Sequence, residues 1–176
     1  YALQLTLWCC LLACLPAVGL AGSSAIVVAT LRALATFTAR PATGGWALLQ
    51  QLVPLEQQPS LALEIERTAL NIVAGLQDRV IQCYEGVVFM DFDKDLMLEH
   101  GCGRYERLDG SALPTFYLAY VGAGGLRSGR VHSNLRERFE SGDSDVLAAM
   151  RRFAEYARCV RSLLLRPAAS QELSPR

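Results

Sequence analysis

Apolar residues recur at steps of three or four from Ser60 to Val87. Ile65, Ala69, Ile72, Leu76, Val80, Cys83 and Val87 share one face of a 3.6-period helix, and Glu64, Arg67, Asn71, Asp78 and Gln82 fall mostly on the other. The pattern predicts one long central helix, N-capped by Ser60, with Gly75 at a close approach to a neighbour and Gly86 at its end. Ala25 to Ala39 predicts a first helix with Val27, Leu31, Leu34 and Phe37, or Val28 with Leu31, as its buried stripe, ended by Pro41, Gly44 and Gly45. Trp46 to Val53 predicts a shorter helix closed by Pro54. The central helix runs into an apolar patch, Val87 to Met90, and then an acidic cluster.

Between Gly101 and Gly142 the character changes to turns, with one short extended or helical piece at Thr115 to Val121 and a short helix at Asn134 to Phe139 capped by Ser133. A last helix is capped by Asp143 or Ser144, carries Leu147, Met150, Phe153, Ala157, Val160 and Leu164 as its apolar stripe, and is stopped by Pro167. These elements predict a mainly α fold: a single-domain helical bundle of four to five helices over residues 22–166, with an irregular Gly-rich middle segment. Residues 167–176 read as a disordered C-terminal tail.

Composition narrows this picture without changing it. A chain of 176 residues that is 52% hydrophobic and 19% charged can bury a core and is not disordered over most of its length. Its net charge is zero, so no nucleic-acid or membrane partner is expected from the overall field. From 22 to 100 there are five basic and nine acidic side chains, and from 101 to 176 twelve and eight. The two halves then complement each other within one fold.

Residues 1–21 carry no charge, and Leu3 to Leu15 has the length of a secretory h-region. Pro16 breaks it, and Gly19-Leu20-Ala21 offers small residues for cleavage, so a signal peptide over residues 1–21 and a secreted, extracellular protein are expected. The rival is a retained anchor, because the uncharged run continues to Leu31. After cleavage a membrane association is not expected. Cys83, Cys102 and Cys159 would remain, as one disulfide and one spare thiol or as a disulfide-linked dimer.

Five features carry candidate chemistry. Asp91, Asp93 and Asp95 alternate, with Glu99 close behind, which suits a hard cation such as calcium or magnesium. Leu96 and Cys102 stand where a calcium loop needs its glycine and its bidentate glutamate, which argues against a normal EF-hand and leaves a looser cation site. The stretch VVFMDFDKDL resembles the apolar strand plus D-x-D start of haloacid-dehalogenase-like phosphatases, and GDSDVLAAMRRFA at 142–154 resembles their late acidic segment. That resemblance implies a nucleophilic first Asp and a general-acid second. Asp95 replaces the family's Thr, and Lys94 is the only lysine, so these remain short motifs. The D-x-D also resembles the metal–nucleotide motif of glycosyltransferases. His100 and Cys102 are too weakly flanked to mark a thiol enzyme. The run Val121 to Gly125 has Arg127 where a dinucleotide fingerprint needs its third glycine. Arg151, Arg152, Arg158 and Arg161 form a basic face on the last helix that could meet an anionic partner.

With no complete catalytic constellation, the sequence points to a secreted, non-enzymatic protein without a cofactor. It would act by binding an extracellular protein partner or a small apolar ligand between helices. The alternative is a divalent-cation-dependent hydrolase or transferase using Asp91, Asp93 and Asp95.

Overall fold

The computed structural model describes residues 21–38, 45–72, 74–111, 113–117, 119 and 128–166. Helix α1 (Gly22–Thr38) is followed by α2 (Gly45–Leu52), α3 (Gln58–Thr68) and α4 (Gln77–Tyr84). Strand β1 (Val87–Asp91), helix α5 (Lys94–His100) and strand β2 (Arg104–Leu108) come next, then α6 (Ser128–Glu140) and α7 (Ser144–Leu164). The expected signal segment (apart from Ala21), the run 121–125 and the tail 167–176 lie outside the described residues.

The core forms where α1, α3 and α4 meet. Val27 and Val28 of α1 pack with Ala62 of α3 and with Val80, Cys83 and Tyr84 of α4. Arg32 fastens α1 to the end of α4: its guanidinium donates to Glu85 Oε1 at 2.8 Å and to the carbonyls of Gln82 and Cys83.

The central helix is two helices. After α3, Leu70 N–H donates to the Ile65 carbonyl and Ile72 N–H to the Glu66 carbonyl, and Asn71 takes a left-handed conformation with φ 51°. Asn is one of the few residues that enters this region readily, so it ends a helix as glycine does. The apolar rhythm survives the break because Ile65 and Val80 face the same core from different helices. The consequence is local and chemical: Gln77 and Asp78 stand in the first turn of α4, not midway along a helix.

The patch expected at Val87 to Met90 is a strand. It pairs antiparallel with β2, from Val87 opposite Leu108 to Asp91 opposite Arg104. Val88, Met90 and Tyr105 extend the core, and Tyr105 meets Tyr84 and Phe92 edge-on at 5.4 and 5.8 Å. Gly103 is required where the chain returns: a Cβ there would lie 2.5 Å from the Asp91 carbonyl oxygen. Helices therefore dominate around a small hairpin, and part of the expected irregular middle is ordered sheet. Helix α6 spans Ser128–Glu140, longer than the piece expected at 134–139, and packs on α7. Among the described residues no helix is long and apolar enough to cross a membrane.

Candidate active site

A cleft of about 370 Å³ opens between the approach to α4 and the α6–α7 pair. Gly75, Gln77 and Asp78 line one wall, and Arg136, Phe139 and Met150 line the other. Asp78 is the exposed carboxylate of this cleft, with 54% of its side chain accessible. Its position in the first turn of α4 sets it at the positive end of the helix dipole.

Directly behind Asp78 lies a buried ion pair. Arg79 is 1% exposed and Glu66 is 0% exposed. The Arg79 guanidinium donates to Glu66 Oε2 from two nitrogens, and to the Gly75 carbonyl at 2.9 Å. The same guanidinium lies 3.6 Å from Asp78 Oδ2. Burying two charges is favourable only when they are paired and well hydrogen-bonded, and removing one partner is severe. Arg79 thus joins α3, the break and α4 at one point, and it holds a positive charge beside the Asp78 carboxylate.

The second feature is the start of α1. Ala21 has φ 58°, and its carbonyl accepts from Ala25 N–H at 3.0 Å and from the Ser24 hydroxyl at 2.8 Å. Ala25 is the first donor within the helix, so the amides of Gly22, Ser23 and Ser24 precede the ladder. A left-handed turn leading into a helix N-terminus groups amide donors in the manner of phosphate-binding loops. The run Gly19-Leu20-Ala21-Gly22-Ser23-Ser24 carried this signal. Small residues before an apolar helix suit a peptidase and a phosphate equally, and composition alone does not separate them.

The other sequence candidates are placed as follows. Asp91 pairs with Arg104 at 3.0 Å and accepts from Asp93 N–H. Asp93 is the N-cap of α5, with Oδ1 accepting from the amides of Asp95 and Leu96. Asp95 is exposed in the first turn of α5, and Glu99 lies 3.8 Å from His100 at its far end. Among the described residues no three His, Cys, Asp or Glu side chains converge on a metal-sized site. Arg151, Arg152 and Arg158 are exposed on α7, whereas Arg161 pairs with Glu106 at 2.7 Å and lies over the Phe89 ring. The expected disulfide is corrected: Cys83, Cys102 and Cys159 are all free, the first two buried and the third exposed. Burial pushes the Cys83 thiol up to about 11, and raises Cys102 as well, so neither is a thiolate nucleophile.

Comparison with known proteins bears on this geometry. The family model described as the GHMP kinases N terminal domain matches residues 13–86. The chain resembles a kinase. That match takes in the start of α1, the buried pair and Asp78, and it runs across the expected cleavage point at Ala21. The chain is also 40% identical over 147 residues to "Glucuronokinase 1" of Arabidopsis thaliana, which covers 84% of this chain and 38% of that protein. It is 40% identical over 149 residues to "Probable glucuronokinase 2" of the same plant, again 84% of this chain and 38% of the relative. The chain therefore spans well under half the length of these relatives. No solved structure matches it.

These likenesses overturn four expectations together. The secreted, extracellular location is set aside, because the segment taken for a signal runs into a stretch shared with kinases. The non-enzymatic binding role falls for the same reason, and with it the extracellular protein partner and the apolar ligand. The absence of a cofactor also gives way, since a kinase works on a phosphoryl donor. An uncharged, leucine-rich start has the composition of a secretion signal even where it leads into a helix of the fold.

Proposed function

We propose that this chain forms part of a sugar kinase that transfers a phosphoryl group from a nucleoside triphosphate to a sugar acid, with glucuronate as the acceptor. The observation that carries the reading is the coincidence of the family match over 13–86 with an exposed Asp78 in a cleft. The names of the two plant relatives supply the acceptor class.

Phosphoryl transfer asks the protein for positioning and electrostatic stabilisation more than for covalent chemistry. The amides of Gly22, Ser23 and Ser24 are the donors for the phosphates, and the exposed Ser23 hydroxyl lies beside them. Asp78 accepts the proton of the attacking hydroxyl, the role an aspartate plays in many kinases. Arg79, 3.6 Å away, helps hold that carboxylate in place. The donor set fits a nucleotide. A magnesium ion would bind mainly through the substrate phosphates and water, which leaves the Asp78 carboxylate for the proton. Such an ion would neutralise charge on the transferring group.

The test is ADP release with ATP, magnesium and glucuronate. Asp78→Asn keeps the shape of the side chain and removes its basicity, so kcat is expected to fall roughly 100- to 10,000-fold with the fold intact. Full activity in this variant would remove Asp78 from the mechanism.

A further inference from the structure

A carboxylate that meets the reacting hydroxyl does not by itself tell a sugar acid from a neutral sugar. The wall of the cleft facing Asp78 carries one cation, Arg136 of α6, beside the apolar side chains of Phe139 and Met150. Among the described residues Arg136 forms no ion pair, although the carboxylates Glu137 and Glu140 share its helix. The neighbouring arginine behaves differently: Arg138 is engaged with Asp143 at 2.8 Å. An exposed guanidinium at a cleft, with five donors in a fixed fork, matches a carboxylate in two parallel hydrogen bonds. An aromatic ring and a thioether beside it suit the C–H face of a pyranose.

We infer that Arg136 is the specificity residue for the acid group of the acceptor: it binds the sugar carboxylate while Asp78, on the opposite wall, meets the reacting hydroxyl. This rests on the kinase reading and deepens it. A guanidinium could also serve a nucleotide phosphate. The start of α1 already supplies phosphate donors, and the apolar neighbours of Arg136 favour a sugar ring over a polyphosphate. The stretch shared with the plant relatives is long enough that it includes the positions of Asp78 and Arg136.

The experiment compares glucuronate with glucose, the neutral sugar of the same ring, in the full chain with ATP and magnesium. The wild type, Arg136→Gln and Arg136→Lys are assayed for kcat and KM of each substrate and of ATP. In Arg136→Gln the glucuronate-to-glucose ratio of kcat/KM is expected to fall roughly 10- to 150-fold, the loss of a hydrogen-bonded charge contact. The change should lie mainly in the KM for glucuronate. Arg136→Lys restores part of the preference, because it keeps the charge without the fork. An unchanged ratio overturns the inference and leaves the kinase reading standing, and so does a rise confined to the KM for ATP. A wild type that phosphorylates no sugar acid overturns the proposed function, and this inference with it.

Discussion

Cys83 shows how one buried side chain ties the fold to pH. Its thiol is 1% exposed among Val27, Val80 and Tyr84, and burial pushes its pKa from 9.0 to about 11, with Arg32 opposing and Glu85 adding to the shift. The neutral thiol is the form the fold accepts. In the unfolded chain the group ionises near 9, so below that pH both states hold the proton and stability does not depend on it. Between about 9 and 11 only the unfolded chain loses the proton, so stability falls as pH rises, by roughly 3 kcal/mol in all. Tyr84, raised by burial to about 12, adds a further decline above pH 10. Urea denaturation of Cys83→Val at pH 8, 10 and 11 should show a shallower decline than the wild type. Identical slopes would mean that Cys83 is not the titrating group.

At the scale of elements, the acidic cluster acts through a cap. Asp93 accepts from two amides at the start of α5, at 3.0 and 3.2 Å, which satisfies donors that the helix cannot. Asp93→Ala is expected to cost about 1 kcal/mol in urea denaturation, and Asp93→Asn only a few tenths, since Asn caps equally well. Equal losses in both variants would point to the charge of Asp93 and not to its cap. Much at this scale was legible in the sequence. The helices at 25–39, 46–53 and the last one follow from period and punctuation, with spans that differ by a few residues, but their apolar faces do not: Leu34, Phe37, Phe153 and Val160 are exposed. The break between α3 and α4 was not legible, because apolar spacing stays in phase across it and only Asn71 and Gly75 hint at it. That miss hid the site: Asp78 on the solvent face of a long helix is an ordinary charge, while Asp78 at a helix start beside a buried arginine is a placed one. The hairpin was missed for a related reason. A four-residue apolar run has no period, and its partner RYERL carries three charges in five residues.

For the whole molecule, the cleft depends on how the α6–α7 pair is held against the rest. One wall belongs to the segment entering α4, anchored through Arg79, and the other to α6 and α7. Arg161 of α7 reaches the hairpin, pairing with Glu106 of β2 and lying 5.2 Å over the Phe89 ring of β1. Both contacts are partly exposed, so they are worth about 1–2 kcal/mol together. That is a small part of global stability but enough to bias the position of one helix pair. Arg161→Ala should therefore leave urea-unfolding stability within about 2 kcal/mol of the wild type while raising amide hydrogen exchange along α7. Protection in α1, α3 and α4 should hold, because Val27, Val28, Ala62 and Val80 pack without help from α7. The KM for glucuronate should rise in the same variant, as the wall carrying Arg136 loses its fixed distance from Asp78. Exchange that rises equally in all helices would show that Arg161 supports the core as a whole. A selective rise in α7 with an unchanged KM would place the substrate outside this cleft.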